Sequence, residues 1–273
     1  MTTRPGQQVV LVTGAASGLG RAGARHLAAA GHRVFGGDLE DTSVPGVTGL
    51  RMDVTEPSSV GAAVDEVVRS AGRFDALVNS AGFGIAGAVE DTSLEEARAQ
   101  FEVNFFGVLG ASRAALPVMR RQGHGRIIAI SSIGGQVPLP FQALYSASKF
   151  AVEGLMEALS EEVRTFGIDI VLIEPADFRT GFTRARRVVA GAGSDSAYDA
   201  AFTRALGVIE KDERTGSDPE LIGPLLERIV AARHPRLRYS TGSAVERLTL
   251  GLRRVLPSRA FVPLIERHYG VRR

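Results

Sequence analysis

The sequence predicts a doubly wound α/β protein, in which helices cover both faces of a mostly parallel sheet. Three observations support this prediction. Strand and helix patterns alternate six times between Gln8 and Glu174, as expected for a chain of strand–helix–strand units. The strands are short runs that are apolar almost throughout, which indicates burial on both faces. A glycine-rich turn joins the first strand to the first helix, where such folds bind phosphate groups.

The bulk composition is that of a globular protein and argues against several functional classes. The 273 residues suffice for one large α/β domain or two small ones, and 44% are hydrophobic and 23% charged. A net charge of +2 without a block of basic residues argues against nucleic-acid binding. Cysteine is absent and the five histidines are scattered, so no metal site is predicted. Neither a signal peptide nor a membrane span is evident, and we expect a cytoplasmic protein.

The first predicted strand, over 8–13, leads directly into Gly14-Ala-Ala-Ser-Gly18-Leu-Gly20 and then into a helix. Gly14 permits a tight turn, Gly18 allows backbone amides to approach a pyrophosphate, and Gly20 allows close helix packing. The spacing Gly-x-x-x-Gly-x-Gly differs from the commoner Gly-x-Gly-x-x-Gly of dinucleotide sites. The loop therefore indicates a phosphate site, and an ordinary strand–helix turn is the alternative.

Acidic residues follow the next two strands. The strand over 33–38 ends in Asp38, 18 residues beyond Gly20, where a carboxylate can accept hydrogen bonds from an adenosine ribose. The third strand leads to Asp53. Its carboxylate either contacts a bound dinucleotide or has only a local role, as a loop residue or a helix cap. Thr55 is expected to cap the helix that starts at the next proline.

The fourth strand ends at Asn79, and a long helix is predicted over 93–119. Ser93 and Glu96 have the spacing of a capping box at its start. The helix carries Asn104 among apolar neighbours in Val-Asn-Phe-Phe-Gly. Because a buried asparagine needs hydrogen-bond partners, Asn104 either bonds within its own helix or has a role in a site.

The segment 130–150 carries the residues best suited to acid–base chemistry. Tyr145 and Lys149 are four positions apart at the start of a helix, so their side chains share one face. The ammonium is expected to favour the phenolate and to bring the pKa of Tyr145 toward working pH. Tyr145 would then act as a general acid or base. Ser132 ends the preceding strand, so that a carbonyl oxygen could accept hydrogen bonds from the hydroxyls of Ser132 and Tyr145.

The choice of lysine at this position is informative. Lys149 and Lys211 are the only lysines, because the chain otherwise uses arginine. Arginine would serve on a solvated face, so a lysine here indicates a need for a compact ammonium with three donors. The alternative is a surface lysine beside a half-buried core tyrosine.

We predict a single domain over 1–273. Residues 8–180 would form the dinucleotide-binding and catalytic core, 181–216 a mobile lid over the substrate, and 217–273 the C-terminal helices and the last strand. A surface helical hairpin without a role is the alternative for 181–216.

Apolar residues that follow strand ends are expected to line an apolar substrate cleft. They are Phe83, Ile85, Val137, Leu139, Phe141, Phe178 and Phe182. The segment 181–216 also carries Arg184, Arg186 and Arg187. These arginines either meet an anionic group of the substrate or form a solvated face.

The ordered motifs resemble those of the short-chain dehydrogenase/reductase family. They are Thr13-Gly-x-x-x-Gly-x-Gly20, Asn79-x-Ala-Gly82, Asn104, Ser132 and Tyr145-x-x-x-Lys149. The resemblance covers about Val9 to Thr180 by motif. It implies a Rossmann-type sheet of about seven strands and an NAD(P)-dependent oxidoreductase. It also implies a homodimer or homotetramer formed through the two long helices that carry Asn104 and Tyr145.

The resemblance implies a role for each catalytic residue. Tyr145 would be the acid–base residue, and Ser132 would hold the carbonyl or alkoxide. Lys149 would bond the nicotinamide ribose and lower the pKa of Tyr145, while Asn104 would hold a water that links Lys149 to solvent. The residues implied to contact the cofactor are Gly14, Ser17, Gly18, Leu19, Gly20, Asp38, Asp53, Val54, Asn79, Ala81, Gly82, Tyr145, Lys149, Pro175 and Thr180.

Two positions depart from the family pattern. Ser80 replaces the second asparagine often found at that strand end, and Ala176 replaces the glycine that usually follows the proline. Because alanine resists a positive φ, the second departure could alter the loop that holds Thr180.

The predicted activity is the NAD-dependent interconversion of a secondary alcohol and a ketone, with a small-molecule alcohol or ketone of steroid- or retinoid-like, lipophilic character as the substrate. NAD is favoured over NADP because Asp38 would repel a 2′-phosphate, and Ser17 and Leu39 stand where NADP users often carry a basic residue. The alternatives are an NADP-dependent carbonyl reductase, a non-catalytic nucleotide-sensing protein of the same fold, and a sugar-nucleotide epimerase or dehydratase.

Overall fold

The computed structural model describes residues 6–271, and the side chains of all of these except residues 244, 245, 247 and 254. Within that range the chain forms nine strands, which are β1 (Val9–Thr13), β2 (Arg33–Asp38), β3 (Val47–Arg51), β4 (Ala76–Asn79), β5 (Ile85–Ala86), β6 (Gly125–Ile130), β7 (Ile168–Pro175), β8 (Arg187–Val188) and β9 (Arg238–Thr241). The same range contains ten α-helices, which are α1 (Gly18–Ala29), α2 (Pro57–Ala71), α3 (Leu94–Phe101), α4 (Gly107–Gln122), α5 (Ala143–Val163), α6 (Phe182–Ala185), α7 (Asp199–Thr215), α8 (Ile222–Ala231), α9 (Ala244–Val255) and α10 (Ser258–His268).

Seven of these strands form one parallel sheet in the order β3-β2-β1-β4-β6-β7-β9. The chain winds outward from β1 to β3, returns to the centre at β4, and then winds outward to the other edge. Such a reversal opens a crevice at the carboxyl ends of the central strands. The fold class predicted from the sequence, a doubly wound Rossmann-type sheet, is confirmed.

Two hydrophobic layers flank the sheet. Along β1, Val9 and Leu11 belong to one core cluster, and Val10 and Val12 belong to the other. The first cluster includes residues of α2, α4 and α5, and the second includes residues of α1 and α8. Every residue of β1 is buried, which explains why the strand lacks the polar alternation of a half-exposed sheet.

The long helix expected over 93–119 is present but irregular. The predicted capping box of Ser93 and Glu96 is confirmed at the start of α3. A π-helical turn, Glu102–Phe106, separates α3 from α4, which continues to Gln122. Such a turn inserts one extra residue into the helix and often occurs at functional sites. It contains Asn104.

The cap expected for α2 is wrong. Glu56 holds the cap position, and its side chain makes no capping hydrogen bond. Thr55 instead donates its hydroxyl to Asp53 Oδ1 at 2.7 Å and its backbone N–H to the same oxygen at 2.9 Å. Asp53 therefore stabilises its own loop, which was the alternative considered for it.

The segment 181–216 is anchored at both ends. Ser217 donates its N–H to Asp177 O at 2.8 Å and accepts from Arg179 N at 3.0 Å. Inside the segment, β8 pairs in parallel with β5, an association that the sequence did not predict. The two ends of the segment therefore lie next to each other, where Ser217 meets Asp177 and Arg179. Between its ends, the segment contacts β5, which lies in the loop after β4.

The C-terminal helices pack beside the segment that follows β6. The tail forms two helices on either side of Pro257, and a second capping box at Ser243 begins α9. Leu250 and Phe261 are buried together with Val137. Within residues 6–271, no helix is both long and apolar enough to cross a membrane.

Candidate active site

A cavity of about 1070 Å³ lies at the carboxyl ends of the central strands. All residues that were expected to contact the cofactor line it, except Asn79. Ser132, Tyr145 and Lys149 line the same cavity, and Asn104 is buried outside its lining. The structure thus places the glycine loop and the acid–base residues around one space.

The glycine loop has the geometry of an anion cradle. Gly14 and Gly18 adopt φ values of +69° and +53°, which favour glycine. A Cβ added to Gly14 would lie 2.8 Å from Ala81 Cα, and one added to Gly20 would collide with Gly14 O. The side chain of Ser17 makes no hydrogen bond with the first turn of α1. The N–H groups of that turn are therefore free of a side-chain cap and suit the pyrophosphate of a dinucleotide.

Asp38 is fixed at the end of β2 by two backbone donors. Its Oδ2 accepts from Ala16 N at 2.9 Å, and its Oδ1 accepts from Glu40 N at 3.1 Å. The side chain is half-buried and lines the cavity. These bonds hold the carboxylate beside the glycine loop, where the ribose of a bound dinucleotide would meet it.

Thr13 connects the ends of the two central strands. Its hydroxyl accepts from Ser80 N at 3.0 Å and from Ala81 N at 3.1 Å. These bonds involve only the backbone of residue 80, so serine there preserves them. Asn79 is buried, and its amide nitrogen lies 3.4 Å from the Ser112 hydroxyl of α4. The structure therefore places the Asn79 side chain behind the cavity wall, away from the expected cofactor contact.

Asn104 fixes the loop that follows β4. Its amide oxygen accepts from Phe83 N at 3.1 Å, and its amide nitrogen donates to Phe83 O at 3.0 Å and lies 3.3 Å from the Ser148 hydroxyl. Gln100 also donates to Phe83 O, at 2.8 Å. The alternative that Asn104 bonds only within its own helix is wrong, since these partners lie in the loop after β4 and on α5.

Ser132, Tyr145 and Lys149 form the acid–base group. The Ser132 hydroxyl accepts from Gly134 N at 3.0 Å and is near enough to the Tyr145 hydroxyl to lower its pKa. Lys149 Nζ donates to Ile130 O at 2.9 Å and lies 5.9 Å from the centroid of the Tyr145 ring. All three side chains are buried, so water competes weakly for their hydrogen bonds.

Burial has the largest effect on the pKa values of Tyr145 and Lys149. It raises the pKa of Tyr145 to about 12, and the neighbouring Ser132 hydroxyl offsets only part of that increase. It lowers the pKa of Lys149 to about 8, against the opposing effect of the Glu153 carboxylate. Burial therefore opposes the effect on the pKa of Tyr145 that is expected of Lys149, because desolvation penalises the phenolate.

One wall of the cavity is apolar. Four of the seven predicted residues line it, namely Phe83, Leu139, Phe178 and Phe182, together with Ile133 and Ile209. The Phe182 ring stands edge-on to Tyr145, with 5.6 Å between the ring centroids.

The other three predicted wall residues lie outside the lining. Ile85 is buried in the small sheet with β8, and Val137 packs against the C-terminal helices. Phe141 packs against Phe202 at 5.6 Å between the ring centroids, and its φ of +58° makes it the one non-glycine residue within 6–271 with a positive φ. Their position after a strand end was not sufficient to predict contact with the cavity.

The cavity lining also carries acidic groups that the sequence did not single out. Asp177, Asp212 and Glu213 line the cavity with Tyr269. Burial, and after it the carboxylates of Glu246, Glu213 and Asp212, raise the pKa of Asp177 to about 7. The position of Asp177 directly after a strand end was an available signal. Asp212, Glu213 and Tyr269 belong to elements remote from any strand end, so no local pattern marked them.

The three arginines of 181–216 differ in their surroundings. Arg184 and Arg187 are exposed and line the cavity. Arg186 is 2% exposed in its side chain and forms an ion pair with Glu213. Glu213 also accepts from the Thr183 hydroxyl at 2.6 Å. Arg186 therefore joins α6 to α7 and is not part of a solvated face.

The departure at Ala176 causes no backbone strain. Ala176 donates its N–H to Thr241 O at 2.9 Å and lacks a positive φ. Thr180 lines the cavity and accepts from Phe182 N at 3.1 Å. The loop after β7 therefore reaches the cavity with alanine in place of glycine.

Comparisons with known proteins agree with this geometry. The family described as short chain dehydrogenase matches residues 8–188. A 3-ketodihydrosphingosine reductase from Bacteroides thetaiotaomicron is 42% identical over 266 residues, which are 97% of this chain and 99% of the relative. A short-chain dehydrogenase structure from Streptomyces avermitilis has a TM-score of 0.82 at 33% identity and covers 96% of this chain and 97% of its own. A short-chain dehydrogenase/reductase from Burkholderia phymatum in complex with NAD has a TM-score of 0.78 at 28% identity and covers 91% and 93%.

The fold and the cavity define an oxidoreductase that uses a nicotinamide dinucleotide. The chain belongs to the short-chain dehydrogenase/reductase family. Its cofactor is accordingly NAD or NADP. Within residues 6–271, no group of three or more His, Asp or Glu side chains is arranged to hold a metal ion.

Proposed function

We propose that this enzyme uses NAD to interconvert a secondary alcohol and a ketone, and that its substrate is a long apolar molecule with an amino group near the reacting carbon. One observation carries the proposal. The hydroxyls of Ser132 and Tyr145 line one cavity together with the glycine loop and a group of aromatic side chains.

The buried group suits proton transfer to a carbonyl oxygen. The Ser132 hydroxyl would donate to that oxygen and orient it, and the Tyr145 hydroxyl would transfer its proton. Lys149 has three N–H donors, and one of them is engaged by Ile130 O, which leaves two for the nicotinamide ribose and the phenol. When bound, the dinucleotide supplies or accepts the hydride. Asn104 would act indirectly, by fixing the loop at Phe83.

The pKa of Tyr145 suits the proton donor that ketone reduction requires. Burial raises it to about 12, so the phenol is protonated in the neutral range and can act as an acid toward a ketone.

Asp38 supports NAD as the cofactor. The fixed carboxylate can accept hydrogen bonds from two ribose hydroxyls and would repel a 2′-phosphate. One observation favours the alternative, an NADP-dependent carbonyl reductase. Arg51 Nη1 donates to Leu39 O at 3.2 Å, so a guanidinium lies close to the position after Asp38.

The cavity walls support a long substrate that is apolar along most of its length. The aromatic wall favours apolar surface at about 25 cal/mol per Å² buried. The carboxylates of Asp177 and Asp212 favour a cationic group beside them, whereas Glu213 is already paired with Arg186. A keto sphingoid base, the substrate class in the name of the Bacteroides relative, combines a long chain with an amine. Steroid- and retinoid-like ketones fit the apolar wall alone.

We also propose that 181–216 covers the bound substrate. Phe182 contacts the Tyr145 ring, and both ends of the segment meet at Ser217. The segment also pairs with β5 through β8, outside the seven-stranded sheet, so it can move without disturbing that sheet.

Turnover assays with matched ketones test the substrate proposal. The protein would be incubated with NADH and a keto sphingoid base, a ketone of equal chain length without the amine, or a steroid ketone. We expect the amine to increase kcat/KM by about 10- to 100-fold, the effect of one charge-assisted hydrogen bond. Tyr145→Phe is the control for enzymatic reduction.

Each part of the proposal fails on a different result. Equal kcat/KM with and without the amine would show that the enzyme does not recognise an amino group on its substrate. Comparable kcat/KM values for short polar ketones would show that the apolar residues of the cavity do not select the substrate. No turnover of any ketone with either dinucleotide would contradict the reductase activity itself.

The expected homodimer or homotetramer remains a proposal. The π-helical turn before α4 exposes Phe106 at 48%, and α5 exposes Phe150 at 41%. Large aromatic side chains on these neighbouring segments suit a subunit interface. Light scattering of wild type and Phe150→Glu would test it, and a monomeric wild type would contradict it.

A further inference from the structure

The C-terminal helices expose apolar side chains beyond those that pack on the core. In α9, Leu248, Leu252 and Val255 are 61%, 37% and 82% exposed. Their spacing of four and three residues places them on one face of the helix. On α10, Val262 and Leu264 are 47% and 49% exposed and lie on different sides of the helix, because residues two apart do not face the same way. The exposed apolar face of α9, formed by Leu248, Leu252 and Val255, is what we call the tail surface.

The tail is also basic. Residues 244–273 contain seven arginines and two glutamates. The whole chain has a net charge of only +2, so the remainder is net negative. Arg259 and Arg267 are exposed on α10. This strong charge would repel a second copy of the same surface and attract an anionic one.

The C-terminal helices adjoin the wall of the cavity. On the side opposite the tail surface, α9 buries Leu250 with Phe261 of α10 and Val137, and Ile133 packs at the edge of this cluster. Ile133 also lines the cavity, and so does Tyr269, the residue directly after α10. The helices that carry the tail surface therefore lie beside the cavity.

We propose that the tail surface docks the enzyme onto an anionic lipid bilayer. Exposed apolar residues on helices rich in arginine are the pattern of interfacial helices, which lie in the headgroup region without spanning the membrane. Docking places the cavity beside the phase in which long apolar ketones reside. The association itself depends on neither cofactor nor turnover, so it can be tested separately from the proposed reductase activity.

Vesicle flotation of the full chain tests this proposal. The probes are vesicles of phosphatidylcholine alone and vesicles with phosphatidylglycerol added, each at low and high salt. We expect binding to the anionic vesicles, weakened by salt because exposed charges are screened. The triple variant Leu248→Glu, Leu252→Glu and Val255→Glu should bind at least about tenfold more weakly, since three apolar side chains no longer enter the lipid.

The chain offers a matched control. Leu94, Leu221 and Val89 are 74%, 57% and 64% exposed and lie outside the tail, so changing these three to glutamate alters composition and net charge identically. The control should bind as wild type does. Circular dichroism and thermal unfolding would show whether each triple variant is folded, and Arg259→Gln with Arg267→Gln tests the charge without altering any apolar residue.

Three results would overturn the proposal. The first is a wild-type protein that does not float with anionic vesicles. The second is an equal loss of binding in the tail variant and in its control. The third is a wild-type dimer that does not bind vesicles and becomes monomeric in the tail variant, which would identify the surface as a subunit interface.

Discussion

The charge on Asp38 should decide which dinucleotide the enzyme prefers. In Asp38→Asn, the side-chain oxygen can still accept from Ala16 N, as Asp38 Oδ2 does at 2.9 Å, but the negative charge is lost. A 2′-phosphate at about 5 Å from the carboxylate, in an effective dielectric of about 20, is repelled by about 3 kcal/mol per unit of charge. That energy corresponds to a preference of about 100-fold for NAD.

Arg51 works against this preference to a smaller extent. Its side chain is exposed and is positioned by one hydrogen bond to Leu39 O. An exposed charge pair contributes about 1 kcal/mol or less, which is smaller than the repulsion from Asp38. Arg51→Ala should therefore reduce the remaining activity with NADP and leave activity with NAD unchanged.

The assay compares kcat/KM for NADH and NADPH in wild type, Asp38→Asn, Arg51→Ala and the double variant. We expect wild type to prefer NADH and Asp38→Asn to lose most of that preference. A wild-type preference for NADPH would refute the reasoning. So would an unchanged preference in Asp38→Asn, or a larger effect of Arg51→Ala than of Asp38→Asn.

Three further variants probe the buried groups. Tyr145→Phe should lower kcat by about 10²- to 10⁴-fold, since it removes the proton donor, with little change in NADH affinity by calorimetry; near-normal turnover would exclude Tyr145 as the acid. The folded-state pKa of Lys149 is lowered to about 8, so the protein loses stability as pH falls from the unfolded value toward 8. Lys149→Met should then raise the free energy of unfolding by about 1 to 3 kcal/mol below pH 8, while activity is lost. The pKa of Asp177 is raised to about 7, so its contribution is present at low pH and is lost as pH rises through 7. Asp177→Asn should therefore stabilise the protein at pH 8 by about 1 to 4 kcal/mol and have little effect at pH 4. Urea unfolding as a function of pH measures both effects, and a pH-independent difference would contradict either one.

Features that depend on local sequence and on strand ends could be predicted. The spacing of Tyr145 and Lys149 sets them on one face of a helix whatever the tertiary context. Gly14 and Gly20 are required wherever a strand turns directly into a packed helix. The carboxyl ends of parallel strands meet at one edge, which brings Ser132 and Asp38 to the same cavity.

Features that depend on packing between distant segments could not be predicted. The π-helical turn at Asn104 leaves no mark in the apolar pattern, which continues through it. Arg186 and Glu213 form an ion pair although 27 residues separate them in the sequence, and no local pattern marks them as partners. The raised pKa of Tyr145 was missed for the same reason. Its spacing from Lys149 is visible in the sequence, while burial by neighbours such as Phe182 is visible only in the fold.

The two shifted pKa values point to the step at which Lys149 acts. Burial favours the neutral forms of both Tyr145 and Lys149, so the ammonium does little to ionise the phenol at rest. Once Tyr145 has given its proton to the substrate, the phenolate stands in the same buried space as the ammonium, which lies 5.9 Å from the centroid of the ring. At about 5 Å and an effective dielectric of about 20, their attraction is about 3 kcal/mol. Lys149→Met should therefore lower kcat for reduction by about 100-fold although Tyr145 stays protonated before the reaction. If Lys149→Met instead changed only the affinity for NADH and left kcat intact, the ammonium would serve cofactor binding alone.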